Sequence, residues 1–308
     1  MPTTTAAVIC CCLLAAGSVR CASGTRDYRT RIAQHPKGTA KKIKDRLIRW
    51  DPPNVDGQLG SVSASPPCAI SSVLQQANAA AQEMVSNLPN FTAKERIQYQ
   101  AFGQVGGLLD EQSGIFEYLA LFAPKGAGWA VQETRTPDKG TEAFPASAQD
   151  IGLPELALIF LPSYQKDYDM TCQGAAQWNG KTAWVIHFQQ RPDEPAETLS
   201  FSDTKRLYPV RLKGRAWLAA DSGEVVHLET GILEPISVGG MLVRNWWLSI
   251  NYGPVQFHSQ NVRMWLPQTV DAYAELDGHR TIIYHTFADF MVFSVHTRQK
   301  IQKLTVPH

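Results

Sequence analysis

Three turn signals narrow the folds open to this chain: Asn179-Gly180 in AQWNGKTAWVIHF, Asp221-Ser222-Gly223 in RAWLAADSGEVVHLET, and Asp277-Gly278 in VDAYAELDGHRTIIYHTF. Asn-Gly and Asp-Gly accept the positive φ angles of a type I′ turn, whose twist matches two antiparallel strands. Alternation around them is regular. Thr182, Trp184, Ile186 and Phe188 share one face of an outgoing strand, and Val270, Ala272, Ala274 and Leu276 share one face of an incoming strand. Consecutive hairpins of this kind predict an antiparallel meander, rich in Trp, Tyr, Phe, Val, Ile and Thr.

One segment breaks that period. In CAISSVLQQANAAAQEMVSNLP, residues Ile70, Val73, Leu74, Ala77, Ala80, Ala81, Met84, Val85 and Leu88 recur at three- and four-residue steps, which predicts a helix of about twenty residues ending at Pro89. A helix with one apolar face must lie on something. GLPELALIFLP, residues 152–162, carries a proline near each end and suits a brief second helix or buried turn. The fold class is therefore α+β: a broad antiparallel sheet with one face covered by an N-terminal amphipathic helix and a short second one.

The 308 residues are 44% apolar, enough for a substantial core. Their net charge of +1 conceals an asymmetry, because residues 20–49 hold ten Lys and Arg against Asp27 and Asp45, leaving the remainder at −7. No RNA-type aromatic motif or helix-turn-helix accompanies this arm, so nucleic acid is not expected as a partner. Peripheral contact of the 20–49 arm with an anionic membrane surface is the electrostatic alternative to a plain solvated linker. Ahead of it, AAVICCCLLAAG at 6–17 has the length of a signal-peptide core and ends in small residues, although no Lys or Arg precedes it; a misassigned start is the alternative. The expected organisation is a signal peptide at 1–17, a basic flexible linker at 18–65 with the breakers DPPN and SPP, a folded domain at 66–300, and a tail at 301–308.

Loss of the leader removes Cys10, Cys11 and Cys12 and leaves Cys68 and Cys172 in the folded body. In an exported chain these two form a disulfide closing a loop of about 100 residues; two separate buried thiols are the alternative. Neither cysteine lies in a CxxC or near a histidine at ligand spacing, so no metal and no cofactor is expected.

The richest stretch in titratable groups is AELDGHRTIIYHTFADF, residues 274–290. Strand alternation puts His279 and His285 on one face about 20 Å apart, too far to share a metal ion. His285 with Asp289 is the geometrically available acid–base couple, but no GxSxG, HExxH or phosphate-binding loop supplies a nucleophile or metal beside it. Among the eight tryptophans, Trp178, Trp184, Trp217, Trp246, Trp247 and Trp265 fall mostly in expected strands. Together they suit a concave sheet with more apolar inner wall than one helix can fill, leaving a hollow for a greasy ligand.

The runs YDMTCQGAAQWNGKTAWVIHFQQRP, YPVRLKGRAWLAADSGEVVHLET and NYGPVQFHSQNVRMWLPQTVDAYAELDGHRTIIYHTFADFMVFSV, with PPCAISSVLQQANAAAQEMVSNLPNFTAKER before them, resemble a family of exported acidobacterial proteins over roughly 66–296. The element order is also similar to the lipoprotein carrier and outer-membrane lipoprotein-sorting superfamily, the LolA/LolB-like proteins. That second resemblance implies an incomplete β-barrel, a strongly curved antiparallel sheet with helices in its concave side, holding acyl chains in an apolar hollow. It implies a periplasmic or cell-envelope protein binding a lipid, an acyl chain or a lipidated protein without catalysis. The residues expected to line such a hollow are Trp184, Ile186, Trp217, Trp247 and Trp265. The rival expectations are a secreted hydrolase using His285 and Asp289, and a scaffold whose sheet docks a protein partner.

Overall fold

The computed structural model describes residues 51–292, apart from 58, 60, 61, 64–66, 88, 89, 127, 140, 142, 143, 146–152, 195, 197, 203–205 and 258–261. The leader at 1–17, the basic arm at 20–49 and the tail at 301–308 lie outside the described residues. The apolar stripe forms helix α1, Ile70–Asn87, which buries Val73, Ala77, Ala81, Met84 and Val85. Ten strands then pair in one path. In chain order the strands are β1 (Asn90–Phe102), β2 (Leu108–Lys125), β3 (Gly128–Pro137), β4 (Tyr168–Trp178), β5 (Lys181–Gln190), β6 (Ser200–Ser202), β7 (Leu207–Pro209), β8 (Leu212–Ala219), β9 (Val225–Ile232), β10 (Ile236–Val238), β11 (Met241–Phe257), β12 (Val262–Leu276) and β13 (His279–Val292). The sheet runs β3-β2-β1-β13-β12-β11-β9-β8-β5-β4, with β10 beside β11 and a separate β6-β7 ribbon. Among the described residues every pairing is antiparallel and β3 does not pair with β4, so the sheet is not closed.

The turn chemistry is as the sequence requires. Asn179 and Gly180 have φ of 47° and 78°, and Asp277 and Gly278 have φ of 48° and 81°, the signature of two-residue type I′ loops. GLPELALIFLP becomes a 3-10 helix, Glu155–Phe160, followed by one turn of α-helix, α2, Pro162–Gln165. All six residues of the 3-10 helix are buried. Its Glu, Leu and Ala are good helix formers, and Pro154 and Pro162 at its two ends keep it short.

Ten strands laid flat at about 4.8 Å spacing would put the two edges about 43 Å apart. Yet Tyr164 of α2, four residues before Tyr168 of β4, receives the Trp129 N–H of β3 at 2.9 Å and donates to the Trp129 carbonyl. Four residues span at most about 14 Å, so the sheet must curl to bring its edges towards each other. A single core cluster makes the same point. It joins Val131 of β3, Phe116 of β2, Ile97 of β1, Ile283 of β13, Val270 of β12, Ile250 of β11, Leu228 of β9, Ala216 of β8 and Ile186 of β5 around α1 and the 3-10 helix. Only a sheet curved towards that face can gather residues from so many strands around one centre.

The outer face is also covered in part, by residues inside the stretch expected to be linker. Val55 is 1% exposed and packs with Phe102, Trp247, Tyr273 and Ile282; Leu59 and Val62 pack with Val185, Trp217 and Val226. Arg215 of β8, itself buried, donates to the Val55 carbonyl at 2.6 Å and the Gly57 carbonyl at 2.5 Å. Asp56 meets Lys213 and His187, and these contacts, the Lys213 hydrogen bond foremost, outweigh its burial and hold its carboxyl below the usual range. Ser63 pairs backbone to backbone with Ala175 on the edge strand β4 at 2.8 and 2.9 Å. Gly174 permits this approach, since a Cβ there would stand 2.5 Å from the Ser63 carbonyl oxygen. On the inner side of the same strand, Cys172 forms the disulfide with Cys68, Cα to Cα 6.3 Å. The chain thus covers an otherwise exposed sheet edge, where unpaired backbone groups invite association.

Candidate functional site

α1 reaches the inner face through its smallest residues. Ala77, Ala79, Ala80 and Ala81 offer only methyl groups where leucines would have filled the curve, and a cavity of about 210 Å³ remains. Its apolar wall comprises Ala77, Ala81 and Met84 of α1, Tyr252 of β11, and Met264 and Trp265 of β12. The tip of the β8–β9 hairpin closes one end. Gly223, with φ of 81°, sits so near the helix that a Cβ would lie 2.6 Å from the Gln76 carbonyl carbon. Tyr252 donates to the Leu153 carbonyl at 2.9 Å, and burial keeps its phenol protonated.

Charge stands at one side of this apolar space, where Glu83, Glu224 and Arg263 complete the lining. Burial raises the Glu224 carboxyl above its ordinary range; its own backbone N–H opposes that shift, Asp221 and Glu83 reinforce it, and Arg263 opposes it. The cavity is amphiphilic rather than uniformly greasy.

A second inner-face feature lies across β13, β1, β2 and β3. Glu95, fully buried, accepts from Arg135 Nε at 2.6 Å and Nη2 at 3.1 Å, while His285 Nδ1 lies 2.7 Å from Glu95 Oε1. The Arg135 guanidinium stands 5.0 Å from the Tyr118 ring centroid, and the Tyr118 hydroxyl donates to Glu133. Burial alone would raise the Glu95 carboxyl, but Arg135 and then His285 outweigh it and hold it below the usual range. Burial and the Glu133 charge push the Tyr118 phenol well above its own. His285 and Glu95 are both 0% exposed, so this acid–base couple is sealed from solvent and its geometry serves to anchor four strands.

The structure separates the residues expected to form one wall. Ile186 is fully buried in the inner core and Trp184 packs against it. Trp265 lines the cavity. Trp217 and Trp247 point to the other face: Trp217 lies between Trp178, His227 and Leu59, and Trp247 packs with Val55 over Gly231, whose Cβ would fall 1.9 Å from the indole. His285 is brought to Glu95 rather than to Asp289, which is exposed with φ of 52° beside an irregularity in the β1–β13 register. Tyr252, Met264 and Glu224 went unnoticed in the sequence, because nothing in a strand's own pattern shows which helix residue will stand opposite it. Among the described residues, no group of three or more His, Cys, Asp or Glu is placed to hold a metal ion.

No family model and no curated protein matches the chain. The resemblance to an exported acidobacterial family finds no support. Solved structures similar to it include a DUF1329 family protein from Desulfovibrio piger, at 11% identity and TM-score 0.38 over 72% of this chain and 92% of that one. A putative outer membrane lipoprotein-sorting protein domain from Vibrio parahaemolyticus is similar at 9% identity and TM-score 0.37, over 75% and 95%. The complex of MucA and MucB from Pseudomonas aeruginosa contributes a chain similar at 12% identity and TM-score 0.23, over 73% and 100%. Likeness at this level carries no residue-by-residue correspondence.

Proposed function

We propose that this is an exported cell-envelope protein that holds a hydrophobic ligand, a lipid acyl chain or the chain of a lipidated partner, in the hollow of its half-barrel, without covalent chemistry. The observation that carries this reading is the alanine run of α1, which leaves open space against Tyr252, Met264 and Trp265 where a packed core would have none. The Cys68–Cys172 disulfide supports export, since such bonds persist in oxidising compartments. At about 210 Å³ the resting cavity is smaller than the roughly 300–1,000 Å³ of ordinary ligand sites. A longer chain enters as α1 tilts away about its disulfide-tethered start, and each methylene it then buries contributes about 0.8 kcal/mol.

Filling the cavity tests this. Ala80 lines it and is partly exposed, so Ala80→Phe projects a ring into the space with little strain on the fold. The variant is expected to keep the wild-type thermal midpoint and to bind alkyl chains at least about tenfold more weakly, read by displacement of a solvatochromic apolar dye. Unchanged affinity in a folded Ala80→Phe protein would place the ligand elsewhere.

A further inference from the structure

The polar side of the cavity says what kind of amphiphile it takes. Glu224 lines the cavity from the end of the β8–β9 hairpin tip, and its Oε2 is buried with no hydrogen-bond partner. A buried acceptor left unpaired is costly, and a charged one more so. The local balance of charge is negative, because Glu83, Asp221 and Glu224 face Arg263 as the one cation among the groups that shift Glu224. Among the described residues no neighbour donates to that oxygen, and the adjoining wall is apolar: Ala81, Met84, Met264 and Trp265.

We propose that the cavity selects a single-chain amphiphile with a cationic amine head, whose ammonium N–H donates to Glu224 Oε2 while its alkyl chain lies along α1 against Met264 and Trp265. This selectivity rests on the hydrophobic-ligand reading and adds a head-group preference to it. An ammonium neutralises the excess carboxylate charge and supplies the donor the buried oxygen lacks. A carboxylate head would meet Glu224 and Glu83 with only Arg263 in its favour. Charge-assisted hydrogen bonds out of water are the strong ones, so the discrimination should be large.

The test is calorimetric titration of the full chain at pH 8 with octylamine, octanol and octanoate below their micellar concentrations. Wild-type protein is expected to bind octylamine roughly ten- to a hundredfold more tightly than octanoate, with octanol between. Glu224→Gln should bring the three within about threefold of one another, while Arg263→Gln, a change at an exposed position, should keep or widen the amine preference. Equal binding of all three to wild type, tighter octanoate, or an amine preference that survives Glu224→Gln would each overturn the head-group assignment and leave the apolar reading standing. Failure of all three to bind would remove both. Should Glu224→Gln not fold, the wild-type ranking and the Arg263→Gln ranking still decide the question.

Discussion

Replacing Cys68 and Cys172 together with serine lowers the free energy of unfolding by about 4–5 kcal/mol, the chain-entropy value for a loop near 100 residues, here a separation of 104. Against a typical total of about 5–15 kcal/mol, this brings the protein close to the threshold of folding. The effect is large because the bond joins distant parts of the chain: the residues leading into α1 and the edge strand β4. Without it, the helix on the inner face loses its covalent tie to that edge, while the segment around Ser63 on the outer face keeps its packing and its pair of backbone hydrogen bonds with Ala175. Urea unfolding of the oxidised wild type and the double serine variant measures the difference. A loss under about 1 kcal/mol would mean that the reduced denatured state is already compact or that the edge is fixed by other contacts.

Glu95→Gln is the second large effect, with an expected cost of about 3–5 kcal/mol. The carboxylate is bonded to both Arg135 and His285 in a site without solvent access, and a neutral amide leaves the Arg135 guanidinium charged and undercompensated. The pH dependence has a definite sign. Because the folded protein holds Glu95 below its ordinary value of 4.5, the carboxylate's contribution is complete above about pH 4.5 and is lost as pH falls through the lowered value. Wild type should therefore show a steeper acid limb in its stability profile than Glu95→Gln, whose remaining limb comes from other lowered carboxyls such as Asp56. Parallel acid limbs in the two proteins, measured by denaturant titration from pH 7 to pH 3, would contradict the assignment.

Elements whose information is local could be read from the sequence. The type I′ turns at Asn179-Gly180 and Asp277-Gly278 follow from two residues each, α1 follows from a stripe within one segment, and the two cysteines of the body leave a single pairing. Other features depend on what lies across the sheet. Alternation in RAWLAADSGEVVHLET separates Trp217 from Leu218, but β8 and β9 are buried on both faces, so the pattern cannot tell which side holds the main core. Trp217 and Trp247 consequently fall under the N-terminal segment, although an inward wall was expected. That segment itself reads as linker because Val55, Leu59 and Val62 are isolated apolar residues among breakers, and their partners lie on strands far along the chain. His285 finds its acid 190 positions away. A signal did exist there: in NFTAKERIQYQAF, Glu95 occupies the inward register of Phe91, Ala93, Ile97 and Tyr99, and a charge at such a position calls for a buried partner. The cavity has no sequence signature beyond the alanines of α1, since an absence of side-chain volume acquires meaning only opposite Tyr252, Met264 and Trp265.

The central claim concerns a place as well as a class of ligand, and photolabelling addresses both. An octyl chain bearing a terminal diazirine, equilibrated with the folded protein and irradiated, is expected to insert into the peptide spanning α1 and into peptides containing Tyr252 and Met264-Trp265, with labelling suppressed by excess unlabelled octylamine and by Ala80→Phe. Label confined to the outer face around Trp178 and Trp217, or spread without competition over the surface, would contradict a ligand held beneath the long helix.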